Sequence, residues 1–277
     1  MEYVFRDTDK IRKYLTKVHI NALPSVSVAS LARLQRAHMQ TIPFENFDVF
    51  VAKPLNLTPE ALFQKMIIGR RGGYCFELNT LYGTLLRSLG FEIRPILGRV
   101  QLRDPLQMPP RNHLAHLVTL EGKRYISDVG FGGLTTRIPL DIDTHTEIND
   151  GEGFVRVLHL PRGVFQIERQ TSEGWQPQYS FSLEDVYISD VEMSNHFTET
   201  HSDSHFRHSR FAGLFTKTGR IGLYENRFSV RVGPKITTEK EVSNGETYVA
   251  FLKECFGIAV DFDGAQMVKL LHGKKYG

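Results

Sequence analysis

Cys75 is the residue whose type and position in the sequence most directly suggest catalytic chemistry. It follows two glycines in Gly72-Gly73-Tyr74-Cys75 and begins an apolar helical pattern. A cysteine at the N-terminus of a helix lies at the positive end of the helix dipole, which favours the nucleophilic thiolate over the thiol. A lone cysteine is also well suited to be a small buried hydrophobe. Cys75 is therefore a candidate nucleophile that needs partners from elsewhere in the chain.

A cysteine nucleophile needs a histidine base, which an acid or amide orients. Two histidines, His113 and His116, lie in one predicted strand, and the next strand ends with Asp128. Residues 121–122 predict a two-residue hairpin loop, and counting outward from it places Asp128 on the face of His113. His116 then points to the opposite face and is interpreted as structural, whereas a three-residue loop would reverse this choice. The sequence thus predicts a catalytic group of Cys75, His113 and Asp128, with a satisfied core histidine as the alternative.

The elements that must position these residues follow from the apolar patterns. Behind Cys75, apolar residues recur at helical spacing, and Gly90 then ends the helix. They are Leu78, Leu81, Tyr82, Leu85, Leu86 and Leu89. Further helices are predicted over 27–38, behind the N-cap signal Thr58-Pro59, and around 245–256.

From about residue 91 the pattern changes to short alternating runs, separated by glycine, proline and charged turns, which predict strands. The runs are 92–99, 113–120, 124–129, 154–160, 164–170, 178–182, 211–216, 220–224 and 227–232. Residues 139–152 are polar and acidic and are predicted to form a loop. A helical first part, a strand-rich middle and a mixed last part indicate the α+β class.

The composition argues against several classes of function. The 277 residues carry a formal net charge of +3, too small to indicate nucleic-acid binding, and no apolar stretch approaches a membrane span. Two cysteines exclude a disulfide framework, and no secretion signal is recognised, so we expect a reducing cytoplasm. His201 and His205 have the spacing of a helical zinc site, but their stretch lacks helical periodicity, so we expect no metal. No sequence feature defines the oligomeric state.

Four segments carry a resemblance to a known family. They are Ile42-Pro43-Phe44-Glu45-Asn46, Arg71-Gly72-Gly73-Tyr74-Cys75-Phe76-Glu77, Asp128-Val129-Gly130-Phe131-Gly132, and the stretch from Asn195-His196-Phe197 through Ser204-His205-Phe206. In type and order these segments resemble the arylamine N-acetyltransferases, and His113 fits that family's catalytic histidine. The chain departs from the family at Glu199-Thr200-His201-Ser202, where many members carry Ser-Thr-Ser-Pro.

The resemblance implies an α+β fold with a cysteine-protease-like catalytic core. It implies a helical bundle over residues 1–90, a central β-barrel over 91–195 and a C-terminal α/β lid over 196–277. It also implies a ping-pong reaction, in which Cys75 takes an acetyl group from acetyl-coenzyme A and passes it to an arylamine or arylhydrazine. Acetyl-CoA is then the acyl-donor substrate, no metal takes part, and a role in xenobiotic metabolism fits.

The residues around Asp128 are candidates for the substrate site. Gly130 and Gly132 allow the backbone to approach a ligand closely, and Phe131 is suited to stack on an aromatic amine; a plain turn is the alternative. Phe44 is a further candidate, for the pocket or for the core. The candidate contacts for coenzyme A are Gly133 and, through phosphate groups, Arg207 and Arg210.

Other functions remain compatible with these residues. A related amide synthase, or a thiol hydrolase or transglutaminase-like enzyme, would use the same Cys–His–Asp group. A non-enzymatic interaction module would carry only an inert cysteine. Fast alkylation of Cys75 in preference to Cys255 near neutral pH would argue against the last possibility.

Overall fold

The computed structural model describes residues 3–102, 107–134, 136–233 and 235–272 of the chain. Its first part consists of helices that surround one central helix. The elements are α1 (Thr8–Lys17), α2 (Val28–Met39), the short strand β1 (Phe44–Glu45), α3 (Phe47–Val51), α4 (Pro59–Leu62), a π-helical turn (Phe63–Ile68) and α5 (Cys75–Ser88).

Local sequence signals explain where these helices begin and end. The side chains of Asp7 and Ser27 accept hydrogen bonds from backbone N–H groups in the first turns of α1 and α2. Thr58 caps α4 ahead of Pro59 at the first helical position, as the sequence predicts. Gly90 leaves α5 with a φ of 90°, which a residue with a side chain rarely adopts. The predicted end of α5 is therefore confirmed.

Helix α5 is the centre of the N-terminal core. Every residue from Cys75 to Leu86 is buried, so the helix is enclosed on all sides and not only along its apolar face. Leu78, Leu81 and Leu85 pack with apolar side chains of the preceding helices. The burial of its polar residues means that they must find partners inside the protein.

The middle of the chain forms an eight-stranded antiparallel sheet. Its strands are β2 (Glu92–Val100), β3 (His113–Leu120), β4 (Lys123–Ser127), β5 (Leu140–Asp141), β6 (Ile148–Asn149), β7 (Phe154–Leu160), β8 (Val164–Thr171) and β9 (Gly174–Ser182). They follow the order β5-β4-β3-β2-β9-β8-β7-β6. The sheet curls around buried side chains such as Leu117, Ile167 and Tyr179. Within the described residues, the edge strands β5 and β6 do not pair with each other, so the predicted barrel is a half-barrel.

The hairpin of β3 and β4 has the predicted register. His116 pairs with Ser127, as counted outward from a two-residue loop. Glu121 and Gly122 have φ angles of 53° and 76°, and this left-handed pair is the geometry of a type I′ turn. Because side chains alternate along a strand, His113 and His116 lie on opposite faces of β3.

The last part of the chain builds a second sheet covered by helices. Its elements are α6 (Ile188–Thr200), β10 (Phe211–Phe215), β11 (Gly219–Tyr224), β12 (Arg227–Val232), β13 (Lys235–Glu241), α7 (Glu246–Phe256) and α8 (Gly264–His272). The sheet order is β1-β10-β11-β12-β13, so an N-terminal strand completes it. Phe47 and Phe50 of α3 also pack with Tyr248 and Leu252 of α7. The predicted domain boundaries stay a prediction, and their outer ends, residues 1 and 277, lie outside the described residues.

Sequence patterns gave no bounds for α1 within the predicted helical first part, and they missed α6, α8 and β13. Helix α6 is polar without a clear apolar stripe, and it is anchored by the Tyr74 hydroxyl, which donates to Asn195 Oδ1 at 2.5 Å. Every residue of β13 is exposed, and charged residues are usual in such an edge strand, so β13 shows no alternating apolar pattern. The predicted loop over 139–152 contains the two short strands β5 and β6. Nowhere in the described parts of the chain is a helix both long and apolar enough to cross a membrane.

Candidate active site

Cys75 is the first residue of α5, as predicted. The chain before it must pass very close to its neighbours. A Cβ on Gly72 would lie 2.0 Å from a backbone carbonyl oxygen, and one on Gly73 would lie 2.8 Å from the Glu77 side chain. The Glu77 carboxylate accepts a hydrogen bond from the backbone N–H of Tyr74 at 3.1 Å, which satisfies a donor at the helix start. The two glycines and Glu77 therefore fix the entry into α5.

A buried charge cluster braces the same segment. Arg71 donates from Nε to Glu45 at 2.8 Å and from Nη2 to Asp48 at 2.8 Å. The ammonium of Lys65 lies 2.6 Å from Asp48 and 2.7 Å from Glu77. Burial raises the pKa of Glu77 to about 7, against the opposing pull of Lys65. These ion pairs tie the π-helical turn, α3 and the first turn of α5 together.

His113 and Asp128 meet inside the protein. His113 Nε2 lies 2.7 Å from Asp128 Oδ2, and both side chains are almost fully buried. The second oxygen of Asp128 accepts hydrogen bonds from Asn79 Nδ2 at 2.9 Å and from the backbone N–H of Gly130 at 2.8 Å. Burial would raise the pKa of Asp128, but the charge of His113 and these hydrogen bonds lower it. Asp128 is therefore held as a carboxylate against the ring.

The other side of the His113 ring is turned to Cys75. The sulfur lies 3.8 Å from the backbone carbonyl oxygen of Asn112, the residue before His113. Since Nε2 contacts Asp128, Nδ1 is the ring nitrogen left for the sulfur. Burial alone would lower the pKa of His113, but Asp128, together with a hydrogen bond and charge interaction with Cys75, raises it to about 10. The three predicted residues are thus brought together, in an arrangement that favours imidazolium at neutral pH.

Aromatic rings enclose His113. Its ring centroid lies 5.1 Å from that of Phe131 and 4.7 Å from that of Tyr179. Phe131 was singled out from the sequence, but Tyr179 comes from the distant strand β9 and was not. Burial and the negative charge of Asp128 raise the pKa of Tyr179, so it remains a neutral phenol. The surroundings of the ring are therefore apolar on these sides.

The predicted glycines next to Asp128 have packing neighbours within the protein. A Cβ on Gly130 would lie 2.8 Å from the Cα of Cys75. Gly132 has a φ of 74°, and a Cβ there would lie 2.7 Å from the ring of Phe44. These positions need glycine because the loop after β4 packs against α5 and β1, which is a reason distinct from ligand approach.

The predicted coenzyme contacts lie in different surroundings. Gly133 lines a cavity of about 490 Å³ together with Phe44 and Gly132. Arg207 donates to the carbonyl oxygen of Thr200 at 2.6 Å. Arg210 is 1% exposed and pairs with Glu225 at 3.0 Å, so its guanidinium is held inside the C-terminal core. Neither arginine lines this cavity.

Asn79 is the residue that sequence reasoning missed. Its Nδ2 donates to Asp128 and to the Leu114 carbonyl oxygen, and its Oδ1 accepts from the backbone N–H of Val129 at 3.1 Å. Its own carbonyl oxygen accepts from His116 Nε2 at 2.7 Å. Burial lowers the pKa of His116 to about 4, so this histidine is neutral. A polar residue inside the apolar pattern of α5 was the available signal.

The histidine-rich stretch does not form a helical pair. His201 follows the last residue of α6, whereas His205 begins a separate 3-10 turn. Their i, i+4 spacing therefore does not place them on one helical face.

Known proteins resemble this chain over most of its length. Residues 27–265 match the family model described as N-acetyltransferase. An arylamine N-acetyltransferase / N-hydroxyarylamine O-acetyltransferase of Salmonella typhimurium is 38% identical over 201 residues, which cover 73% of this chain and 71% of the relative. The solved structure of an arylamine N-acetyltransferase from Salmonella typhimurium matches with a TM-score of 0.91 and 31% identity, over 97% of this chain and 99% of that one. That of Mycobacterium marinum arylamine N-acetyltransferase in complex with CoA matches with a TM-score of 0.88 and 28% identity, over 94% and 98%.

Proposed function

Because this chain belongs to the arylamine N-acetyltransferase family and is an acetyltransferase, we propose that it moves the acetyl group of acetyl-CoA to arylamines and arylhydrazines through acetyl-Cys75. The observation that carries this proposal is the 2.7 Å contact of His113 with Asp128, beside Cys75 at the start of α5. The CoA complex of the Mycobacterium marinum relative supports the choice of donor.

The first half-reaction acetylates the enzyme. The Cys75 thiolate attacks the thioester carbonyl carbon, a new S–C bond forms, and the carbonyl oxygen takes the negative charge. When this intermediate collapses, the bond to the coenzyme sulfur breaks, and His113 imidazolium protonates the departing thiolate. Free coenzyme A and acetyl-Cys75 result. Asp128 stays ionised throughout and stabilises the cationic ring.

The second half-reaction transfers the acetyl group to the amine. The amine nitrogen attacks the carbonyl carbon of acetyl-Cys75, and neutral His113 removes the amine proton. Collapse expels the Cys75 thiolate and restores the imidazolium, so protons and charge balance over the cycle. Backbone N–H groups at the start of α5, that of Cys75 among them, are our candidates for stabilising the oxyanion.

The residues around this centre have proposed roles of their own. Phe131 and Phe44 are assigned to the acceptor-amine pocket, where their rings offer stacking surfaces. Gly132 lines the same cavity as Phe44, and Gly130 allows the loop after β4 to place this wall against Cys75. The half-barrel would supply His113 and Asp128 to a cysteine-protease-like core, and residues 196–277 would act as its lid.

The proposed setting follows from the chemistry. An acetyl carrier needs a reduced Cys75 thiol, which the cytoplasm maintains, so we retain the cytoplasm as the proposed location. Aromatic amines and hydrazines as acceptors fit a role in xenobiotic metabolism. The proposed partners are small molecules, without nucleic acid or membrane.

Intact-mass analysis after mixing with acetyl-CoA tests the proposal. The wild-type protein should gain one acetyl group, and Cys75→Ala should gain none. Cys255→Ala is the matched control, because it removes the other cysteine and should leave acetylation unchanged. Acetylation that persists in Cys75→Ala would refute the proposed intermediate.

Acceptor competition separates the alternative enzymes. Acetyl-Cys75 should be discharged faster by an arylamine than by water, with N-acetylated product formed in equal amount. Discharge by water alone would indicate a thiol hydrolase. Acylation only by larger acyl donors would indicate an amide synthase.

A further inference from the structure

The 490 Å³ cavity lies over the five-stranded sheet and borders the loop that follows Asp128. Phe44 and Gly132 form one part of its wall. Phe44 also bridges to Gly73, two residues before Cys75. A Cβ on Gly213 of β10 would lie 3.7 Å from the carbonyl oxygen of Gly132, so the sheet continues the wall. The cavity therefore begins beside the segment that carries the nucleophile.

Two arginines face this cavity from neighbouring strands. Arg220 of β11 and Arg231 of β12 are directly opposite each other in the sheet register. Like charges in such positions repel and destabilise the sheet. Among the described residues, neither guanidinium has a hydrogen bond or an ion pair within 4.0 Å. Burial and the charges of Arg231 and Arg169 lower the pKa of Arg220 to about 10, against the opposing attraction of Glu152.

The other charges along the cavity balance each other. Arg227 also lines it, but its guanidinium contacts Glu239 at 2.7 and 2.8 Å. Glu239 is the one carboxylate residue among the described residues of the lining. Glu152 attracts Arg220 and Glu239 attracts Arg231, but only through longer-range charge interactions. The two guanidinium groups therefore keep their N–H donors available for an anion in the cavity.

Between the two ends of the cavity, the surface of the sheet, here called its floor, carries no large side chains at Gly213, Gly222 and Ser229. Gly213 and Gly222 are directly opposite each other, and Ser229 follows on the next strand. A Cβ on either glycine would find only ordinary contacts at 3.6 Å or more, so the missing side chains leave open space. An extended chain can lie across this floor from the nucleophile segment toward the arginines.

We propose that Arg220 and Arg231 bind the phosphate groups of coenzyme A, with its extended arm lying over Gly213 and Gly222 toward Cys75. Two guanidinium forks match phosphate oxygens in charge and geometry. A bound phosphate would also relieve the repulsion between the two arginines. This inference rests on the proposed function and places the phosphates away from Arg207 and Arg210.

Donor selectivity tests the assignment. Arg220→Gln and Arg231→Gln should each raise the KM for acetyl-CoA about tenfold or more, since a hydrogen bond to a charged group contributes that much. Turnover with p-nitrophenyl acetate, an activated ester without phosphate, should stay unchanged. Arg227→Gln is the matched control on the same sheet face, and its KM for acetyl-CoA should change less than about threefold, because Glu239 already neutralises that charge.

Melting temperatures supply a second readout. Without ligand, Arg220→Gln should melt close to the wild type, because the repulsion of Arg231 and the attraction of Glu152 are lost together. Added coenzyme A should raise the melting temperature of the wild type and of Arg227→Gln, but much less that of Arg220→Gln. A merely structural arginine would not change the ligand-induced shift.

A further acyl donor shows which phosphate group of coenzyme A the two arginines bind. If acetyl-dephospho-CoA abolishes the difference between variant and wild type, the arginines bind the 3′-phosphate; if the difference persists, they bind the pyrophosphate, and both results support the inference. An unchanged KM for acetyl-CoA, or equal losses with both acetyl-CoA and p-nitrophenyl acetate, would overturn it. Failure of the wild type to form acetyl-Cys75 would instead refute the proposed function.

Discussion

At the scale of single residues, the charge of His113 depends on its two neighbours. A buried histidine without a carboxylate partner becomes neutral, as His116 does with a pKa of about 4. His113 is equally buried, but Asp128 holds its pKa at about 10. Two histidines three residues apart on one strand thus carry different charges because they lie on opposite faces.

We expect Asp128→Asn to lower the free energy of unfolding by about 3–5 kcal/mol near pH 6, because it leaves a buried histidine without its counter-ion. The pKa of His113 is raised in the folded state, so the pair's stabilisation is complete below pH 6.5 and is lost as the pH rises toward about 10. Urea denaturation at several pH values measures the free energy of unfolding of both proteins. The difference between wild type and variant should become smaller as the pH rises over this range.

Asp141→Asn is the control for this pH dependence. Asp141 makes a partly exposed pair with Lys123 at 3.7 Å, so its loss should cost less than about 1 kcal/mol. If the difference in the free energy of unfolding between wild type and Asp128→Asn stays constant from pH 6.5 to 10, the result would contradict a charged pair of His113 and Asp128.

At the scale of elements, α5 and β3 approach closely over Gly83. A Cβ on this glycine would lie 2.3 Å from Nε2 of His116, the atom that donates to Asn79. A glycine inside a helix normally costs about 1 kcal/mol relative to alanine. Here the missing side chain allows the helix to contact the strand that carries His113.

Gly83→Ala should therefore lower the free energy of unfolding by about 1–3 kcal/mol, although alanine is the better helix former. Acetylation should also slow, because the displaced His116 contacts Asn79, which in turn orients Asp128. Gly264→Ala in α8 is the control: a Cβ there meets no atom within 4 Å, so stability should be unchanged or slightly higher. Thermal unfolding and intact mass give both readouts, and a fully stable, active Gly83→Ala would disprove the close contact.

Predictability also differs between elements. Helix α5 and the β3–β4 hairpin carry strong local patterns, and both were predicted to within a residue or two at their ends. Helix α6 and strand β13 carry weak or polar patterns and form because of tertiary partners and sheet pairing. Local periodicity identifies an element only when the element has one consistently apolar face.

At the scale of the whole molecule, the buried charge cluster joins distant parts of the chain. Arg71 contacts Glu45 and Asp48 in the N-terminal part, and it also contacts Asp261 of the C-terminal part at 3.0 Å. Asp261 is largely exposed, whereas Arg71 is 3% exposed. The same guanidinium thus makes two strong contacts and one weakly stabilising contact.

Arg71→Met should lower the free energy of unfolding by about 3–5 kcal/mol, because Glu45 and Asp48 would remain buried without their partner. Asp261→Asn should cost less than about 1 kcal/mol, because water screens that contact. Guanidinium chloride denaturation of both variants provides the comparison. Equal losses in the two variants would show that the buried pairs do not dominate the cluster.

The sequence alone determined the features that depend on short separations: the helix that begins at Cys75, the hairpin register, the face that His113 shares with Asp128, and the family resemblance. Only the tertiary structure decided that Asn79 and Tyr179 surround the site. It also decided that Arg210 is buried in an internal ion pair, and that Arg220 and Arg231 face one cavity. The reason is physical. Dihedral preferences and apolar periodicity act over a few residues, whereas these contacts join segments whose approach is set by how whole helices and sheets pack.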